Sequence, residues 1–125
     1  MITGVGIDLI EVERVAVKIR KETGFRELVF SKKEIAYCEK KTNKFEHYAA
    51  RFAAKEAFLK ALKTGWRGKI TWHDIEVVND ADGVPSLNVS GEAAVLLKGL
   101  TVDIAHLSIS HTTEHATAHV IFERR

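Results

Sequence analysis

Asp8, Glu56 and Lys60 are the residues of this chain whose types and placing could do chemistry. Wound at 3.6 residues per turn, the segment containing RFAAKEAFLKAL (Arg51 to Leu62) gathers Phe45, Tyr48, Phe52 and Leu59 on one face. Glu56 falls inside that face, where an apolar side chain is expected. Asp8 lies in MITGVGIDLI, where Val5, Ile7 and Leu9 alternate with Gly4, Gly6 and Asp8. Its neighbours on the strand face have no side chains, which leaves room for a ligand or another backbone. Two carboxylates in half-buried apolar settings repel unless something positive joins them. Oxygen ligands with spare coordination positions suit Mg²⁺, which takes one or two carboxylates and fills its shell with water and phosphate oxygens. Lys60 follows Glu56 by one helical turn, and Arg51 lies on a flank of the same helix. A divalent ion, a lysine and an arginine around one cleft would make a diphosphate site. The alternative for Glu56 is structural, a buried ion pair with a nearby lysine.

The other candidates carry less. His106, His111, His115 and His119 cluster in the last third. The spacing by four of the last three would form a metal face on a helix, but the surrounding alternation predicts strands, and no thiolate group supports zinc. His111 differs from the rest: it ends a strand beside a Thr-Thr turn, where binding residues often sit. Cys38 is the only cysteine, so no disulfide forms within the chain and a reducing cytoplasm is expected. It lacks an obvious activating partner and is assigned to packing.

These residues need a scaffold, and 125 residues suit one domain. The chain is 46% hydrophobic and 29% charged, as soluble globular proteins are. No apolar run approaches the roughly 20 residues of a membrane-spanning helix, and no signal peptide is expected. The formal net charge of +2 is too mild to imply nucleic acid, and the aromatic residues are expected to be buried rather than striped among basic ones.

The first strand is followed by a predicted helix over about Val12 to Lys21, ending near Gly24. Ser31 and Glu34 form a capping box that starts a second helix reaching about Lys41. The third helix spans about Phe45 to Lys63, with Gly65 as its stop. WHDIEVVN and PSLNVS flank the turn residues DADG and predict a hairpin. Ser90 is placed to cap a short helix closed by Gly99. Two strands joined near Thr112 to His115 end the chain. The fold class is α+β, with helices packed on a mostly antiparallel sheet.

Five stretches in series resemble one family: GIDLIEVER, FSKKE, RFAAKEAFLKAL, WHDIEVVNDADGVPSLNVSG and LSISHTTEHATAHVI. They are similar, in order and spacing, to signatures of the holo-[acyl-carrier-protein] synthases, the small stand-alone 4′-phosphopantetheinyl transferases. The resemblance implies their fold and their reaction: transfer of 4′-phosphopantetheine from coenzyme A to a serine of apo acyl carrier protein, with adenosine 3′,5′-bisphosphate as by-product. It implies Mg²⁺ held by Asp8 and Glu56, with Lys60 on the coenzyme A diphosphate. Arg51, His111, Thr112 and Gly65 occupy positions of coenzyme A contacts. The basic first helix implies a carrier-docking surface, with Arg14, Lys18 and Lys21 and then Arg26 just beyond it. It also implies a homotrimer with active sites at subunit interfaces, and alternating apolar residues of the closing strands, such as Ile109, Val120 and Phe122, are candidates for the shared face. Glu56, acting directly or through bound water, is the candidate base for the serine proton. Lys63 and Ser31 depart from the frequent Gly and Thr at their positions. A homologue without chemistry, holding coenzyme A or a carrier protein, is the alternative function.

Overall fold

The structure is a computed structural model, and it describes residues 1–63 and 68–125. Strand β1 (Ile2–Glu11) runs directly into helix α1 (Val12–Arg20). A short helix α2 (Phe25–Val29) follows Gly24, then α3 (Lys32–Glu39) and the long α4 (Lys44–Ala61). A 3₁₀ turn (Trp72–Asp74) leads to β2 (Ile75–Asn79), β3 (Pro85–Val89), α5 (Gly91–Gly99), β4 (Ile104–His111) and β5 (His115–Glu123). The first and last strands pair: β1 and β4 flank β5, antiparallel on both sides. Strands β2 and β3 make a separate antiparallel hairpin beside the three-stranded sheet, and the fold is the expected α+β, with helices packed on an antiparallel sheet. No described helix is long and apolar enough to cross a membrane.

Local chemistry explains most element ends. Ser31 caps α3 by accepting from Glu34 N at 3.2 Å, and Glu34 Oε1 accepts from Ser31 N at 2.9 Å, completing the capping box. The hairpin turn closes on Asp80, whose Oδ1 accepts from Asp82 N and Val84 N, with Gly83 at φ 83°. Ser90 stands at the start of α5 but makes no capping hydrogen bond with its side chain, contrary to expectation. Helix α2 was not expected; with five residues it is too short to show a helical repeat. The predicted stop of α4 at Gly65 lies outside the described residues. Before it, Lys63 already takes φ 64°, the left-handed region where glycine is at ease, which gives a physical reason for glycine at this position.

Helix α4 is not a surface helix with one apolar stripe. Tyr48, Ala49, Ala50, Arg51, Ala53, Ala54, Lys55, Ala57, Phe58, Leu59 and Ala61 are all buried, so nearly its whole circumference faces protein. On one side it lies on β1 and β5, with Ala57 and Phe58 packed among Ala118, Val120 and Phe122. On the other it meets α1, α2 and α3 through Tyr48, Val15, Val29 and Phe30.

The contact with β1 depends on missing side chains. A Cβ added at Gly6 would lie 1.9 Å from Ala57 O and 2.7 Å from Ala61 N, and one at Gly4 would lie 2.5 Å from Ala61 O. The open strand face therefore receives another backbone, that of α4. Asp8 is the next residue on this face, the first with room for a side chain. Gly6→Ala must push α4 from the strand. It is expected to cost about 2–3 kcal/mol in urea denaturation, as overpacked sites do. A cost below about 0.5 kcal/mol would mean that the close approach is unimportant.

The opposite face of β1 is apolar and bare. Val5, Ile7 and Leu9 are 59%, 52% and 67% exposed. By contrast Val120 and Phe122, candidates for a shared face, are buried in the chain's own core, and Ile109 is partly buried against it. The alternation on β5 was legible; which of its faces the chain covers by itself was not.

Candidate active site

Asp8 enters the site from β1, and Glu56 and Lys60 enter from α4. Lys60 Nζ donates to Asp8 Oδ1 at 3.0 Å, with the aspartate side chain largely buried and the lysine half-exposed. Glu56 is half-buried and makes no hydrogen bond or ion pair among the described residues. Burial first, then the charge of Asp8, pushes its carboxyl above the ordinary range, against the pull of Lys60 and Lys18. Asp8 and Glu56 line one cleft of about 290 Å³ together with Arg14, Lys18 and Phe52. Two carboxylates converge there with cations on the rim.

The structural alternative for Glu56 is thereby assigned to its neighbours. The buried ion pair of α4 belongs to Lys55, whose Nζ is 2.9 Å from Glu34 Oε1, both side chains being fully buried. Lys55 also donates to Trp72 O at 3.0 Å and Ile75 O at 2.7 Å, which satisfies all three ammonium donors.

Arg51 lies elsewhere. It does not line the Asp8–Glu56 cleft but a second one of about 150 Å³, together with His111, His47, Tyr37 and Asn79. The Arg51 side chain is buried, stacked 4.1 Å from the Tyr37 ring centroid and bonded to Asn79 Oδ1. Its Nε, also buried, has no partner among the described residues. A buried guanidinium with a spare donor is suited to an anion. Among the described residues the two clefts share no lining residue. Thr112 is exposed beside His111, and its hydroxyl accepts from His115 N at 3.1 Å within the turn. Gly65 lies outside the described residues.

Arg14, Lys18 and Lys21 stand together on one face of α1 and its cap. Arg14 and Lys18 reach the Asp8–Glu56 cleft, a placement not foreseen from spacing. Arg26 is paired with Glu27 at 2.8 Å and Glu39 at 3.2 Å. His106 pairs with Glu123 at 2.9 Å on the sheet surface, while His115 and His119 are exposed. No group of three or more His, Cys, Asp or Glu side chains that could hold a metal occurs among the described residues. Burial pushes the Cys38 thiol up to about 12, leaving it inert and in keeping with a packing role.

Sequence reasoning missed His47, Tyr37 and Asn79 of the second cleft, and Glu46, which pairs with His111 behind it. His47 precedes Arg51 by one helical turn, and that spacing was the available signal.

The profile of the 4′-phosphopantetheinyl transferase superfamily matches residues 4–119. A holo-[acyl-carrier-protein] synthase of Koribacter versatilis is 48% identical over 124 residues, covering 98% of this chain and 99% of that protein. The crystal structure of a holo-(acyl-carrier-protein) synthase from Bacillus anthracis in complex with CoA (3′,5′-ADP) matches with a TM-score of 0.82 at 38% identity, covering 100% of this chain and 99% of that one. That of the holo-[acyl-carrier-protein] synthase from Neisseria meningitidis gives 0.88 at 29% identity, covering 99% and 100%. The chain belongs to the 4′-phosphopantetheinyl transferase superfamily, and within it to the holo-[acyl-carrier-protein] synthases.

Proposed function

We infer that this chain transfers 4′-phosphopantetheine from coenzyme A to a serine hydroxyl of apo acyl carrier protein, releasing adenosine 3′,5′-bisphosphate, at the Asp8–Glu56–Lys60 cleft. The observation that carries this is the convergence of two carboxylates from different elements, one partly desolvated, beside a lysine that spans strand and helix.

These residues fit Mg²⁺. Glu56 has spare lone pairs, the mutual repulsion of the carboxylates is relieved by a cation, and a donor set of two carboxylates leaves positions for phosphate oxygens. Bound there, the ion would neutralise charge on the diphosphate. Lys60 supplies a second cation for the diphosphate as its bridging P–O bond breaks and the adenosine side leaves. The serine oxygen forms the new P–O bond, and its proton passes to the carboxylate side of the cleft, to Glu56 directly or through a water beside it.

Coenzyme A is longer than either cleft. Its phosphoadenosine end belongs with Arg51, His111 and Thr112. Because the two clefts are separate in one chain, a homotrimer with sites at subunit junctions brings them together, and the bare strip of Val5, Ile7 and Leu9 offers an apolar face to bury. Sedimentation of the active protein is expected to give one trimeric species; a stable, active monomer would exclude this arrangement. A reducing cytoplasm is the compartment that suits the unpaired, buried Cys38.

The decisive assay is mass spectrometry of apo carrier protein after incubation with coenzyme A, Mg²⁺ and this protein. Gain of one phosphopantetheine is the expected result, and an unmodified carrier would leave only a binding role.

Carrier docking falls to the basic surface of Arg14, Lys18, Lys21 and Arg26, facing an acidic partner helix. Lys21→Glu is expected to weaken carrier binding roughly tenfold at low salt while leaving coenzyme A binding unchanged. Arg14→Glu should impair both, because Arg14 also lines the catalytic cleft. Unaltered carrier affinity in both variants would remove α1 from the docking surface.

A further inference from the structure

Behind His111, which lines the second cleft, stands a carboxylate to which nothing above gives a part. Glu46, in the first turn of α4, has its Oε1 2.8 Å from Nδ1 of His111 at the end of β4, and both side chains are largely buried, at 18% and 26% exposure. The His47 ring meets the His111 ring edge-on at 5.0 Å between centroids, and Tyr37 meets His47 in the same way at 5.7 Å. The His111 ring is therefore held from two directions. A nitrogen facing a carboxylate carries the proton, whether the imidazole is neutral or charged. Nε2, on the far edge of the ring, is the atom left for a ligand. Arg51, whose buried Nε has no partner among the described residues, lines the same cleft.

We propose that Glu46 is a positioning residue for the coenzyme A subsite: by accepting the Nδ1 proton of His111 it fixes the orientation and tautomer with which Nε2 meets the phosphoadenosine end. This rests on the assignment of Arg51 and His111 to coenzyme A. The arrangement follows the logic by which a carboxylate behind a histidine orients the opposite nitrogen toward a metal or substrate. It also accounts for a carboxylate that is otherwise poorly placed, since an anion close to an anion-binding cleft opposes binding unless a charged or hydrogen-bonded group stands between.

The test uses Glu46→Ala, Glu46→Gln, His111→Ala and the Glu46→Ala/His111→Ala double variant, each first shown by sedimentation to keep the parent's assembly state. Coenzyme A affinity is measured by calorimetry, and kcat and KM by transfer to apo carrier protein. Glu46→Ala and His111→Ala are each expected to weaken coenzyme A about tenfold, with kcat nearly unchanged. The double variant should be no worse than His111→Ala, since Glu46 acts through that ring. Glu46→Gln keeps an oxygen acceptor for Nδ1 and should recover most of the affinity. In the parent, ¹⁵N spectra of histidine-labelled protein above the titration range should show one imidazole in the Nδ1-protonated tautomer, the less favoured form of free histidine.

Additive losses in the double variant, or a Glu46→Gln protein as weak as Glu46→Ala, would overturn the proposal. An Nε2-protonated His111 in the parent would do so as well, and needs no variant to fold. If His111→Ala binds coenzyme A normally, the assignment of the cleft itself fails. If His111→Ala is weakened and Glu46→Ala is not, only the role of Glu46 fails.

Discussion

Glu56→Gln is expected to lose Mg²⁺-dependent transfer by about 10²–10⁴-fold while folding as well as the parent, or better when metal is removed. The substitution keeps the size of a half-buried side chain and removes a charge that has no hydrogen-bonded partner among the described residues. Burial and the neighbouring Asp8 both oppose that charge, so the folded state holds the Glu56 proton more tightly than the unfolded chain does. Folding then takes up a proton over the interval between the two pKa values, and the metal-free protein loses stability as pH rises through it. The Glu56→Gln variant lacks this component. In chelator at neutral pH it should melt at or above the parent temperature, and the gap should close as pH falls below the ordinary carboxylate range. Asp8→Asn should lose transfer to a similar extent, and the double variant little more than either single one, because both carboxylates serve one ion. A structural ion pair at Glu56 requires the reverse, an unstable protein whose folded fraction still transfers normally. Thermal unfolding and transfer rates measured on the same preparations decide between them. A well-folded Glu56→Gln protein with near-parent rate would remove Glu56 from the chemistry.

The Asp8–Glu56 pair was legible in the sequence because each member breaks a local pattern. Asp8 continues a strand face otherwise occupied by glycines, and Glu56 interrupts an apolar face. Both anomalies have the same cause: Gly4 and Gly6 let α4 approach β1 until Ala57 and Ala61 touch its backbone, and the next side chains outward, Asp8 and Lys60, then meet at 3.0 Å. The second cleft was only half legible. Arg51 is one helical residue among several basic ones, and its distance from Glu56 depends on rotation about α4, which is buried almost all round and so offers no polar face from which to read direction. Its partners Tyr37, Asn79 and His111 come from three other segments, and no spacing in the sequence relates them. The covered faces of the strands were undetermined for a similar reason. Alternation shows that β1 and β5 have two kinds of face, but Val5 and Val120 are equally apolar, and only the placement of α4 makes one bare and the other core.

Lys55→Met is expected to destabilise the protein by roughly 3–5 kcal/mol, the largest effect on folding expected of any single substitution considered. Lys55 lies beside Glu56 in sequence but is turned about 100° around α4 from it, toward Glu34, and its role is mechanical. Its ammonium joins Glu34 of α3 to Trp72 O and Ile75 O ahead of and within β2, while the other oxygen of Glu34 accepts from Val77 N at 2.9 Å. One charged pair thus ties α3, α4 and the hairpin together at a point that water does not reach. Burial pushes the lysine below its ordinary pKa, and the Glu34 carboxylate opposes that, so each charge depends on the other. Removing Lys55 leaves Glu34 buried without its counter-ion and two carbonyls without their donor. Glu34→Gln should cost less, because an amide can still accept from Ser31 N or Val77 N, but it strands the ammonium. The double variant Lys55→Met/Glu34→Leu should recover a large part of the loss, since an apolar pair of similar volume leaves no isolated charge. Urea denaturation of the four proteins gives the cycle. A coupling energy below about 0.5 kcal/mol would show that the two side chains act independently and that the pair does not hold the three elements together. Transfer by the folded fraction of each variant should stay within a few-fold of the parent, because neither Lys55 nor Glu34 lines the Asp8–Glu56 cleft.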